Sequence, residues 1–211
     1  SMTGLKKRES GNSSPEESEQ ESKPPSIAVL PFLNLSNDDE QEYFADGITE
    51  DIISNLSLWK TFPVISRNSS FSFKGAKERS AEVAKKLGAD YLVEGSVRKG
   101  GNKVRITAQL TFAPEEKQIW SKRWDRSLED IFEVQDEVSQ DVAALISPAL
   151  KDQERAKLSA KPKKNFGAWD EYLQGLSIYN GQAFTEHSGT VIEHCKRAIE
   201  LDANFCDAYV L

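Results

Sequence analysis

Ser57 and Lys60 stand in the Ser-x-x-Lys spacing that lets a lysine activate a serine nucleophile. No partner motif accompanies them, so the pair reads as a solvated helix end. Phe73-Lys74-Gly75-Ala76-Lys77 sets a glycine between two lysines. It lacks the first Gly and the closing Gly-Lys-Ser/Thr of a phosphate loop. A bare anion site at the start of the next helix stays open only as a minor alternative. His187 and His194 are the only 2 histidines, with Glu186 and Glu193 beside them. Zinc asks for three or four ligands at tighter spacing, so both read as surface residues of a helix. The cluster Asp38, Asp39, Glu40 and Glu42 lacks the alternating ligand spacing and turn glycine of a calcium loop. It suits a loop entering a helix N-terminus, where acids are favoured. No metal or cofactor is expected, and the segment is expected not to be an enzyme.

Cys195 and Cys206 fall on the apolar side of neighbouring helices and read as small core residues. A bridge between them would need Cα atoms within about 7 Å. Trp120, Trp124 and Arg123, with Arg98 and Arg105, have the composition of a stacking platform for single-stranded nucleic acid. The charge balance argues against it: 27 Lys+Arg face 34 Asp+Glu, net −7, and phosphate attraction dominates such binding. No nucleic acid partner is expected. The segment Arg67 to Lys74 offers more. Arg67, Asn68, Phe71, Phe73 and Lys74 are the candidate ligand- or partner-binding residues. Two aromatics among polar groups at the end of a strand occupy a common place for ligand sites in α/β folds. The competing account folds both Phe side chains back under the loop.

A chain of 211 residues, 38% hydrophobic and 29% charged, has one or two domains and a core over most of its length. Its 2 cysteines exclude a disulfide framework and a Cys₄ zinc site. No apolar run approaches the roughly 20 residues of a spanning helix. Ser1-Met2-Thr3-Gly4 reads as a tag scar rather than a secretory leader, at the front of an excised piece of a longer protein. Residues 1–26 are poor in aliphatics and are expected to be a disordered linker: a cloning tail, a tether to an upstream domain or membrane helix, or both.

Order is expected to begin with a strand at residues 26–32, ending near Pro31. Ile48, Ile52, Ile53 and Leu56 recur at helical spacing. Residues 62–65 suggest a second short strand, and 80–87 a helix stopped by Gly88. Val104, Ile106, Ala108, Leu110 and Phe112 alternate with polar residues, the mark of a strand with one wet face. A like run precedes it from Tyr91, joined through Gly100-Gly101, and a third covers 118–124, giving an antiparallel meander. Ser127 and Asp130 resemble a capping box before a helix from Val134 to Ala149, kinked by Pro148 and resuming over 151–158. Residues 161–164 read as a linker. Two amphipathic helices follow, then a turn at 202–204 and a third helix from Phe205. The expected fold class is α/β (α+β): a mixed sheet of about five strands with packed helices, then an all-α segment. The expected division is a tail over 1–26, the α/β domain over 27–150, a helix end and linker over 151–166, and helical repeats over 167–211.

The run from Cys195 to Tyr209 resembles a tetratricopeptide repeat passing from one unit to the next. Ala198 supplies the small residue at the helix crossing, and Leu201 and Tyr209 the apolar positions around it. Ala203 departs from the usual Pro, and the preceding repeat has a longer gap than the standard unit. Residues 26–32 (SIAVLPF), 42–51 (EYFADGITED), 69–75 (SSFSFKG), 94–99 (EGSVRK), 104–110 (VRITAQL) and 120–132 (WSKRWDRSLEDIF) resemble the TolB amino-terminal-like α/β domain of bacterial regulatory proteins. The turn at 114–117 departs from the family's usual Thr-Gly. The resemblance implies tetratricopeptide repeats after the domain, and before it a class III adenylyl/guanylyl cyclase or a winged-helix domain with a membrane helix between. It therefore implies a non-catalytic sensory or protein-interaction region, regulatory to a nucleotidyl cyclase. A winged-helix regulator, a cell-envelope scaffold and a small-molecule sensor are the alternatives. The implied partner is a protein or peptide held by the repeats, with a small-molecule effector as a further option and membrane contact only through an upstream helix. A periplasmic location is favoured over a cytoplasmic one, although Lys6-Lys7-Arg8 and the unpaired cysteines lean the other way.

Overall fold

Ile27-Ala28-Val29, buried on every side, forms strand β1 (Ile27–Val29), and two further residues form β2 (Leu33–Asn34). The computed structural model describes residues 23–147, 165–181 and 184–211, the side chains of 184–186 excepted. Helices α1 (Glu42–Ser57), α2 (Arg67–Phe71) and α3 (Ser80–Leu87) follow. Then come β3 (Tyr91–Gly100), β4 (Lys103–Phe112) and β5 (Lys117–Ser127). Helices α4 (Ile131–Ile146), α5 (Phe166–Asn180) and α6 (Phe184–Leu201) follow among the described residues. The expectations for the tail before residue 23, the Pro148 kink, the resumed helix and the 161–164 linker lie outside the described residues.

The result is an α/β fold on a mixed sheet of 5 strands in the order β1-β3-β4-β5, with β2 also on β3. The meander forms as the alternation predicts. β3 and β4 pair antiparallel from Tyr91↔Phe112 to Gly100↔Lys103, turning at Gly101 with φ +57°. β5 adds antiparallel to β4, and a bulge beside Leu110 leaves Ile119 as the extra residue. β1 and β2 both run parallel to β3, one after the other along the same edge.

Strand periodicity decides which face is dry. Val93, Val97, Val104, Ile106, Leu110 and Trp124 are buried on one face, under α1 and α4. On the other face Ala28 and Leu92 meet Ala84 and Leu87 of α3, which covers one end only. Gly88 ends α3 in the left-handed conformation, φ +66°.

Four local expectations change. Residues 62–65 give only a bridge, Ile27↔Val64, because Pro63 has no N–H to donate to a ladder. Arg67–Phe71 is helical rather than looped, with Ser66 Oγ accepting from the Ser69 N–H at 3.3 Å. Ser127 Oγ donates to Asp130 Oδ2 at 2.6 Å, so the two side chains bond each other and cap no backbone. After Phe205 the chain makes a 3₁₀ turn (Cys206–Tyr209) in place of a third α-helix.

Candidate functional site

Helix α1 has two jobs, and its residues divide between them. Ile48, Ile52 and Leu56 are fully buried against the sheet. The other side carries α5. Gly47 faces Leu173 so closely that a Cβ there would overlap the leucine side chain. Phe44 lies edge-on to Trp169, ring centroids 5.6 Å apart, and Trp169 lies edge-on to Phe132 of α4 at 5.3 Å. Tyr43 Oη donates to Asp170 Oδ1 at 3.0 Å. Lys99 Nζ sits 3.7 Å from the same oxygen and 4.8 Å from the Phe44 centroid. Burial, then the neighbouring Asp170 charge, pushes the Tyr43 hydroxyl well above the usual phenol range. Thr49 Oγ1 accepts the Phe32 N–H at 3.0 Å and donates to the Ala45 carbonyl at 2.9 Å, tying α1 to the segment between β1 and β2.

The same helix holds α2. Lys74 Nζ reaches Asp46 at 2.6 Å and Glu42 at 3.0 Å. Arg67 Nε reaches Glu50 at 2.7 Å, and its guanidinium lies 4.1 Å above the Phe71 ring. Burial raises the Asp46 carboxyl above its ordinary value, outweighing the opposing pull of Lys74. Arg67 and Phe71 line a cleft of about 290 Å³ between α1, α2 and α5, shared with Tyr43 and Leu173. Phe73 lines a different cleft, on the far side of the sheet. Both Phe side chains are half-buried, and Asn68 is exposed. The five candidates therefore do not converge on one pocket: Arg67 and Lys74 brace α2 on α1, Phe71 joins Arg67 in lining the junction, Phe73 faces elsewhere and Asn68 is exposed.

The remaining chemical candidates are occupied locally. Ser57 Oγ donates to the Ile53 carbonyl at 2.8 Å. Asp38 Oδ1 accepts the Glu40 N–H at 3.0 Å. His194 Nδ1 lies 2.7 Å from Glu171 Oε2. Among the described residues no three His, Cys, Asp or Glu side chains are placed to hold a metal ion. Trp124 is buried, donating through Nε1 to Glu137 Oε2 at 2.7 Å, and Arg105 and Arg123 are drawn to Asp125. Neither cysteine is in a disulfide. Cys195 is a core residue whose thiol burial pushes up, whereas Cys206, also expected in the core, is exposed. The 3₁₀ turn points Ala208 inward in its place. Of the residues expected to pack a repeat, Ala198 is fully buried, while Leu201 is 51% and Tyr209 62% exposed.

Tyr43, Gly47, Lys99 and Asp170 were not foreseen as site residues. The available signal was Gly47, an isolated glycine in a helical pattern, which commonly marks close packing.

No model of a known protein family matches the chain. Over 186 residues it is 44% identical to a Rhizobium meliloti (strain 1021) protein named "Putative adenylate cyclase 3", a match covering 88% of this chain. The chain spans 31% of the length of that relative. Among solved structures it is similar to TolB from Acinetobacter baumannii, at 18% identity and TM-score 0.46, covering 60% of this chain and 29% of that one. It is also similar to lipoprotein GNA1162 from Neisseria meningitidis, at 19% identity and TM-score 0.43, covering 57% of this chain and 99% of that one. No helix among the described residues is long and apolar enough to cross a membrane.

Proposed function

We propose that this chain is a non-catalytic regulatory and protein-interaction region of a larger bacterial signalling protein, acting on a nucleotidyl cyclase domain that lies outside it. The observation that carries this reading is the seating of α5 on α1 through Gly47, Phe44 and Tyr43. The α/β unit thereby fixes the direction in which α5 and α6, read as the first tetratricopeptide pair, leave it. A protein or peptide bound by the repeats would bear on that junction. The 44% identity to a protein named as an adenylate cyclase, of which this chain spans 31%, supports a neighbouring output domain. The family order of output domain, membrane helix and sensory domain supports a place on the periplasmic side.

Two assays test the reading. The 211-residue chain, given ATP or GTP with magnesium or manganese, is expected to form no cyclic nucleotide. The full-length protein with Gly47→Leu, which unseats α5, is expected to change its cyclase rate several-fold or more, the usual span of an allosteric coupling. Turnover by the isolated chain, or an unchanged rate in the full-length variant, overturns it.

A further inference from the structure

The sheet face away from α1 and α4 loses its cover where α3 begins. There a cleft of about 390 Å³ opens, within the range of small-ligand pockets. Its floor is made by side chains opposite one another on β3 and β4, Glu94 with Gln109 and Ser96 with Thr107. Leu33, Leu35 and Phe73 stand on its walls. Leu33 is 61% and Leu35 44% exposed, so the wall is apolar surface left in water.

Glu94 gives this cleft its chemistry. Its Oε1 accepts from Ser80 Oγ at 2.7 Å, but among the described residues Oε2 receives only Gln109 Nε2 at 3.4 Å. An ionised carboxylate has room for about four hydrogen bonds. Several other carboxylates have cationic partners: Asp46 and Glu42 share Lys74, Glu50 has Arg67, and Glu78, also in the cleft, has Lys86. Among the described residues no lysine, arginine or histidine makes an ion pair with Glu94. A half-buried carboxylate with one under-used oxygen, beside exposed leucines, is complementary to a cation with an apolar tail.

We infer that this cleft binds a small amphipathic cation, a primary ammonium compound whose head bonds Glu94 Oε2 and whose short tail lies along Leu33, Leu35 and Phe73. The site lies across the sheet from the α1–α5 junction and is independent of it.

The test titrates the isotope-labelled 211-residue chain with hexylammonium and phenethylammonium, using hexanoate and hexanol as anionic and neutral counterparts. Both ammonium probes should shift the amides of residues 33–35, 94–96 and 107–109 to saturation, and hexanoate should not. Glu94→Gln should weaken hexylammonium about tenfold or more, as loss of a charge-assisted bond does. Leu33→Ser, at an exposed position, should weaken hexylammonium more than butylammonium. Equal binding of hexanol, undiminished binding to Glu94→Gln, or no saturable shift with either ammonium probe overturns the inference. The cyclase tests at Gly47 are untouched by any of these results.

Discussion

Gly47 of α1 and Leu173 of α5 meet where there is no space for a methyl group. Two effects of opposite sign follow for Gly47→Ala. Alanine favours the helix by about 1 kcal/mol. Overpacking against a leucine only 5% exposed costs about 1–3 kcal/mol and should win. In a Leu173→Ala background, itself destabilised by about 2–5 kcal/mol, the obstruction is gone and the propensity gain should surface. Gly47→Ala is thus expected to destabilise the native chain and to stabilise the Leu173→Ala chain. Urea unfolding of the four proteins gives the coupling energy. Equal effects in the two backgrounds would show that the contact has no energetic content.

Glu116 is the one non-glycine with positive φ among the described residues, at +51°. Left-handed backbone costs a side-chain-bearing residue about 1–2 kcal/mol. Its carboxylate pairs with Arg79, but the two side chains are 51% and 70% exposed, which leaves the pair worth under about 1 kcal/mol. Glu116→Asn and Glu116→Gly should therefore be at least as stable as the native chain, and Glu116→Val lower by about 1 kcal/mol or more. Thermal melts would refute this if Val were tolerated as well as Asn.

The bond from Trp124 Nε1, with help from Lys122, holds the Glu137 carboxyl below its ordinary value. The unfolded chain restores the ordinary value, about 4.3. A carboxyl depressed by folding contributes stability that is complete above that value and disappears as pH falls through the lower, folded one. Glu137→Gln should be less stable at pH 7, by under about 1 kcal/mol because the side chain is 39% exposed. The gap between variant and native melting temperatures should narrow as pH drops below about 4. A gap that stays constant from pH 7 to pH 3 would remove the charge from the account.

The meander was legible because its second face is wet. Lys103, Arg105, Thr107 and Gln109 between buried apolar residues mark both strand and register. The two-residue strand β2 left no such pattern, because its Leu33 and Asn34 lie on an edge and neither is buried. Helix α2 hid behind Ser and Asn, residues that favour turns when nothing else holds them. Its helicity comes from Ser66 at the cap and from Arg67, which is paired with Glu50 of α1, a tertiary contact no local pattern carries. The junction was hidden for the same reason. Tyr43 and Asp170 lie 127 residues apart in sequence, and their types alone name no partner.

The two thiols report on the junction from within. Cys206 is exposed, while Cys195 is 8% exposed in the same core as Ala168, Trp169 and Val191, where burial pushes its thiol up and thins out the reactive thiolate. A thiol-disulfide reagent should therefore modify Cys206 at once in the native chain. Cys195 should react at a rate set by the local opening of α6 from α5. Cys206→Ser should abolish the fast phase and leave the slow one. Because α5 bridges α1 and α6, Gly47→Ala should speed the slow phase and leave the fast one unchanged. If the two thiols react together in the native chain, or if the slow phase ignores Gly47→Ala, then α5 is not held in place by α1.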